Sequence, residues 1–294
     1  MSRLSTDPRM PQVNDLVISL PIALVLGVLR CTVPKFFQSI GRVVLSPSKR
    51  IVPFRVDRFS TSLFKLIYFW GISTLGYLVM KDEKWFPTSL GGSGEAAECV
   101  RVFNEPPSVP LKFYVLVQFA YQVHNLIFMG FIRPFYPGTL EFVTHDLVAM
   151  LLIASTYLVN YVPLAALVGF LNDACDAIQY IYRVVVDSDR RLLVVPVYLA
   201  FLPAWIYTRL YVFPTEFIYN TLHNLARENP DVALGYLYPL NALLIALQAM
   251  QVHWFWLFLR KAPQIFSTTT TATVKKIKRG RHSRRIIMYG LYDA

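Results

Sequence analysis

The run Phe170 to Arg183, FLNDACDAIQYIYR, sets Asn172, Asp173, Asp176 and Arg183 into an otherwise apolar stretch, and the run that begins at Glu141 carries His145 and Asp146, then Tyr157 and Asn160. An imidazole beside carboxylates has a definite chemistry. A neutral histidine can accept a proton, and nearby carboxylates make the resulting imidazolium tolerable away from water. Taking Asn172 as zero at roughly 100° per residue, Asp176 falls at about 40°, Gln179 at about −20°, Arg183 at about 20°, Tyr180 at about 80° and Asp173 at about 100°, one polar stripe. Asp146, Tyr157 and Asn160 share a second stripe with His145 at its edge, and the short connection NYVP forces the two helices antiparallel. A polar lining turned toward a common interior is expected. Two readings compete for it: ionisable groups facing a functional cavity, or Asp173 or Asp176 pairing with Arg183 or Arg209 to lock helices together. A single histidine at such a place is also commonly a structural donor.

The elements that must position these groups follow from composition. Of the 294 residues 55% are apolar and 16% charged, with positive mean hydropathy, whereas soluble domains run near 25% charged. Crossing roughly 30 Å of hydrocarbon takes about 20 residues, and seven windows qualify, at 15–33, 61–80, 111–132, 142–159, 162–182, 192–213 and 234–259. Each must be helical, because lipid offers the backbone no other hydrogen-bond partner. The fold class expected is an all-α polytopic membrane protein, one compact bundle without internal repeats. Pro34 to Arg58 is basic with interleaved apolar residues and reads as a segment on the membrane surface. After Arg260 comes a Thr-rich linker, STTTTATV, and then KKIKRGRHSRR, with seven Lys or Arg in eleven residues; beside a final span such a run meets anionic lipid headgroups, with no nucleic-acid partner required.

Sorted by alternate sides of the spans, 20 of the 29 Lys and Arg fall on one side and seven on the other, with Lys65 and Arg209 inside spans. The rich side is then cytoplasmic, or matrix-facing in a mitochondrial inner membrane. Opposite lies the acidic loop from Lys81 to Pro110. Cys31, Cys99 and Cys175 lack paired spacing, so neither a disulfide framework nor a metal site is expected. The first 14 residues do not read as a cleavable signal peptide. No phosphate-binding glycine loop, His-Glu-x-x-His or Gly-x-Ser-x-Gly occurs.

The stretch from Glu141 to Arg183 resembles the signature region of the ceramide synthase branch of the TLC superfamily: a histidine pair, a Ser-Tyr-x-x-Asn element, then His-Asp-x-x-Asp and a basic residue. The pair lands on His145 and Asp146, the Tyr and Asn on Tyr157 and Asn160, the last element on Asn172, Asp173 and Asp176, and the basic place on Arg183. WIYTRLYVFP (Trp205 to Pro214) is similar to the family's Trp-x-x-x-Arg-x-x-x-x-Pro span, LQAMQVHWFWLFLR to its last helix, and DEKWFPTSLGG to a loop after its first core helix. The similarity covers residues 58–262, between an N-terminal span with its basic segment (1–57) and a basic tail (263–294). It implies a six-helix TLC bundle plus one N-terminal span in the endoplasmic reticulum. Its cavity would join an acyl-CoA to a sphingoid amine, with no cofactor and acyl-CoA only as a substrate.

The departures fall on the chemistry. Asp146 replaces the second histidine of the pair, Asn172 the histidine of the later element and Gln251 a histidine of the last helix, while Pro163, Leu164 and Ala165 replace an Arg-x-Gly turn. His145 is left as the one imidazole of the constellation, and Asn172 cannot take a proton. The leading expectation is a degenerate ceramide synthase, a TLC bundle with a cavity holding a sphingolipid or acyl chain, acting as a structural or regulatory subunit beside protein partners. The alternatives are an active N-acyltransferase using His145 with Asp146, and a proton or solute transporter suggested by the intramembrane charges.

Overall fold

A computed structural model describes residues 9–100, 105–132, 138–188, 191–225 and 233–274. Its helices are α1 (Val13–Val44), a single turn α2 (Pro47–Arg50), α3 (Pro53–Met80), α4 (Val109–Ile127), α5 (Thr139–Leu158), α6 (Val162–Asp187), α7 (Arg191–Trp205) and α8 (Tyr238–Val274). Among the described residues, six helical stretches are long and apolar enough to cross a membrane. The seventh expected span, α6, has 26 residues, ample for a crossing, but carries Asp173, Asp176, Arg183 and Asp187. Its position explains how it keeps them. Packed against α3, α4, α5 and α7, α6 turns its polar stripe to protein instead of lipid.

Two expectations are corrected. Pro34 to Arg58 is no single surface strip: α1 continues through Pro34 to Val44, because neighbouring helices in a bundle tolerate an interior proline, and α3 starts at Pro53, where a missing N–H costs nothing. Basic residues stitch the intervening corner. Arg50 donates to the carbonyls of Leu45 and Val43, Lys49 to the carbonyl of Asp187 at 3.2 Å, and Arg58 to the Asp187 carboxylate. The Thr-rich stretch after Arg260 is the end of α8, which runs helical to Val274; the basic tail beyond lies outside the described residues.

Past Trp205 the backbone takes the wider π-type spacing through Ile218, and Tyr219 N–H reaches the carbonyl of Pro214. Pro214 lies inside this stretch and contributes no N–H to its ladder. The loop after α3 folds back as a cap. Trp85 and Phe86 are buried, Phe86 against the Phe170 ring of α6, and Gly94 donates to the Phe86 carbonyl at 2.9 Å. Only glycine fits at 94, since a Cβ there would sit 1.8 Å from the Lys84 carbonyl oxygen.

Candidate functional site

α3 to α8 enclose a cavity with about 1350 Å³ of space free of protein atoms, its open mouth included. By helix register the mouth is ringed by Phe142, His145, Arg183, Trp254 and Lys261, at the end of the bundle where the basic residues collect. The middle carries Asp146, Asn172, Asp173, Asp176, Lys65 and Arg209. Beyond lies an apolar end of Leu152, Ile153, Leu164, Leu244 and Leu247.

α6 contributes most of the polar wall because its stripe meets the interior at every turn. Asp176 accepts from Arg209 Nη2 at 2.5 Å, and the same nitrogen donates to the Asn172 carbonyl at 3.1 Å. Arg209 is 2% exposed and lies over the Trp205 ring, 4.3 Å from its centroid, so this guanidinium is desolvated and held by one carboxylate, one carbonyl and one indole face. Asp173 accepts from Gln118 Nε2, and Gln118 also reaches the Tyr114 hydroxyl at 2.9 Å. Gly169 permits the approach, since a Cβ there would stand 3.1 Å from Gln118 Nε2. Asn172 Oδ1 accepts from Gln251 Nε2 at 3.1 Å, while its own amide donates to the Val168 carbonyl at 2.7 Å.

On α5, Asp146 accepts from Asn125 Nδ2 at 2.5 Å, and the Asn125 oxygen in turn accepts from Arg30 of α1. His145 Nδ1 stands 3.4 Å from Asp146 Oδ1, with its ring tilted on Trp254 at 5.1 Å between centroids. Burial divides the pair: the Asp146 side chain is 5% exposed and that of His145 23%.

The structure therefore brings together His145, Asp146, Asn172, Asp173, Asp176, Arg183 and Arg209 on one cavity. Tyr157 and Asn160, expected in the lining, are not there. Tyr157 shares the Asp146 side of α5 but lies about 16 Å further along the axis, where its hydroxyl donates to Asp15 of α1 at 2.8 Å, and Asp15 pairs with Lys112 at 3.0 Å. Asn160 falls past the end of α5, so helical register does not extend to it. Its φ of 60° turns the chain, its amide donates to the Glu105 carbonyl, and α6 starts with Pro163 in its first turn.

Sequence reasoning missed Gln118, Gln122, Asn125 and Lys65 on the wall and Arg30 behind it. The signal existed for three of them: Gln118, Gln122 and Asn125 recur at i, i+4 and i+7 on α4, one face of an apolar helix. Among the described residues no group of His, Cys, Asp and Glu is arranged to hold a metal ion.

Residues 58–260 match the family profile described as the TLC domain. Ceramide synthase 4 of Bos taurus is 26% identical over 211 residues, 70% of this chain and 50% of that protein, and ceramide synthase 1 of Homo sapiens is 26% identical over 174 residues, 52% of this chain and 49% of that one. The chain thus spans about half the length of these ceramide synthases. Alternaria stem canker resistance protein 1 of Solanum lycopersicum is 22% identical over 272 residues, 85% of each chain. A helical membrane bundle whose polar stripes converge on one cavity, and whose residues 58–260 match that profile, belongs to the TLC-domain family, on the side of its ceramide synthase branch.

Proposed function

We propose that this protein is a non-catalytic member of the ceramide synthase branch, a lipid-holding structural or regulatory subunit of a membrane complex in the endoplasmic reticulum. One observation carries the reading. Asn172 and Gln251 stand at two positions where the family resemblance expects histidine, and their amides are hydrogen-bonded to each other. Neither can move a proton. The three carboxylates are equally committed: Asp146 to Asn125, Asp173 to Gln118 and Asp176 to Arg209. Activating an ammonium nucleophile needs a base that is unprotonated near neutral pH and free to accept, and correct placement of one is worth about 10²- to 10⁴-fold in rate.

A second reading has one observation in its favour. His145 faces the cavity with Nδ1 3.4 Å from Asp146 Oδ1, a geometry that could orient the imidazole for acyl transfer, as in the N-acyltransferase alternative. The two separate in one assay. Purified full chain given acyl-CoA and a sphingoid base is expected to form no ceramide above a heat-killed control. Asp146→His with Asn172→His and Gln251→His is expected to be necessary for any turnover. Robust transfer by the unmodified chain, abolished by His145→Ala, would establish the alternative. Gentle purification followed by mass spectrometry is expected to recover both a bound lipid and co-purifying membrane proteins.

A further inference from the structure

The helix seams that wall the cavity are not closed alike. Short hydrogen bonds cross four of them: Asn125 to Asp146 between α4 and α5, Gln118 to Asp173 between α4 and α6, Arg209 to Asp176 between the π-type stretch and α6, and Tyr198 to the Phe258 carbonyl at 2.8 Å between α7 and α8. The seam between α5 and α8 is fastened further out and more loosely. Trp254 of α8 donates its indole N–H to Glu141 of α5 at 3.4 Å, and His253 Nε2 stands 3.9 Å from the other oxygen of the same carboxylate, where the Glu141 and His253 side chains are 38% and 50% exposed. The Trp254 ring lines the cavity, stacked at 18° on Phe142 with 5.8 Å between centroids and tilted on His145 at 5.1 Å. One indole thus spans the seam, its ring against the cavity-lining Phe142 and His145 and its N–H on a carboxylate outside the lining. A bond of that length to a partly exposed acceptor is weak. Swinging Trp254 aside therefore breaks less than parting any of the four bonded seams would.

We infer that the seam between α5 and α8 is a lateral portal of the cavity, with Trp254 as its gate and Glu141 as its latch, through which an acyl lipid passes between bilayer and cavity. The inference rests on the lipid-holding reading and adds the route. A lipid leaving through the basic mouth must carry its chain through water, and each methylene raises that barrier. Both helices of the seam keep a lipid-facing side, with Leu147 and Leu151 exposed on α5 and Ile245 and Val252 on α8. Between them the chain slides from hydrocarbon to the apolar end of the cavity without meeting water. A gate changes the rates of entry and exit together, whereas a residue that grips the occupant changes its affinity.

Lipid exchange by the full chain in neutral detergent tests the portal. The protein is loaded with deuterated palmitate or deuterated N-palmitoyl sphingosine and chased with the unlabelled lipid; native mass spectrometry follows the occupancy, and a titration gives the affinity. Glu141→Ala is expected to speed exchange about three- to tenfold at an affinity unchanged within about twofold. Trp254→Phe, which keeps a ring and loses the N–H, is expected to do the same, and the double variant to be no faster than either single one. Glu141→Gln, which keeps an acceptor for the indole, is expected to exchange at the parent rate. Thermal unfolding checks that each variant is folded, and Glu141→Ala, at a partly exposed site, carries the test if Trp254→Phe does not fold. Exchange unchanged by Glu141→Ala, with the lipid still bound, overturns the portal and leaves a lipid-holding cavity standing. A change in affinity without faster entry also overturns the portal, since the two residues then grip the lipid. Accelerations that multiply in the double variant overturn the latch. Retention of neither lipid by the parent chain overturns both readings.

Discussion

Each acidic side chain of the cavity has a named partner, and removing a partner exposes the cost of the other. Asp176→Ala leaves Arg209 buried with its charge uncompensated. Breaking a buried pair from one side costs about 3–5 kcal/mol, and the low end applies because the Asp176 side chain is 24% exposed toward the cavity. The expected loss, about 3 kcal/mol in reversible unfolding, should shrink when Arg209→Leu is added, since the double variant leaves no orphan charge. Gly169→Ala tests Gln118 in the same way. The added methyl displaces the amide from Asp173, and a loss of about 1–3 kcal/mol is expected, with Gly169→Ser no better. The sequence alone marks Asp173 and Asp176 as needing partners. It does not name Gln118 or Arg209, because those meetings depend on which faces of three helices come together.

At the scale of elements, α1 is more than an anchor ahead of the family domain. Its large apolar side chains face outward, among them Val17, Leu24 and Val28, yet Arg30 is buried and reaches Asn125, which holds Asp146. A guanidinium, an amide and a carboxylate thus link α1 through α4 to α5. If that chain of contacts is cooperative, Arg30→Gln and Asp146→Asn are expected to destabilise singly and to couple by roughly 0.5–3 kcal/mol in a double-mutant cycle. Strict additivity would show that α1 merely packs. Arg30 reads in sequence as an interruption of a hydrophobic window; its meaning as a counter-charge arises only when α1 lies along α4. The α4 stripe of Gln118, Gln122 and Asn125 was legible in the sequence, whereas the π-type spacing from Ile206 to Ile218, in the stretch that carries Arg209, was not.

For the whole molecule, the asymmetry of basic residues assigns one side to the corner of Lys49, Arg50, Arg55 and Arg58 and the other to the cap after α3. Cys99 would be the obvious native reporter for the cap, but it is 2% exposed, and burial, then the Glu216 and Glu98 carboxylates, pushes its thiol well above the ordinary range. It is expected to resist maleimide at neutral pH. Ser93→Cys, on the exposed face of the cap, in a cysteine-free background is expected to label only from the side opposite the basic corner. Labelling from the same side as a cysteine introduced at Lys49 would invert the topology.

Composition and periodicity alone determined that this chain is a helical membrane bundle, which six of its helices are long and apolar enough to span, and which face of α6 is polar. Hydrocarbon thickness and the 3.6-residue turn impose those features on any such sequence. They misplaced Tyr157 and Asn160, because a stripe gives the angle around a helix but neither how far along it a cavity reaches nor where the helix stops. Only the tertiary structure decided that Asn172 meets Gln251, that Arg30 reaches Asn125, which holds Asp146, and that Lys65 lies over the Tyr180 ring on the cavity wall. Those are distances between residues far apart in the chain, fixed by how the helices pack.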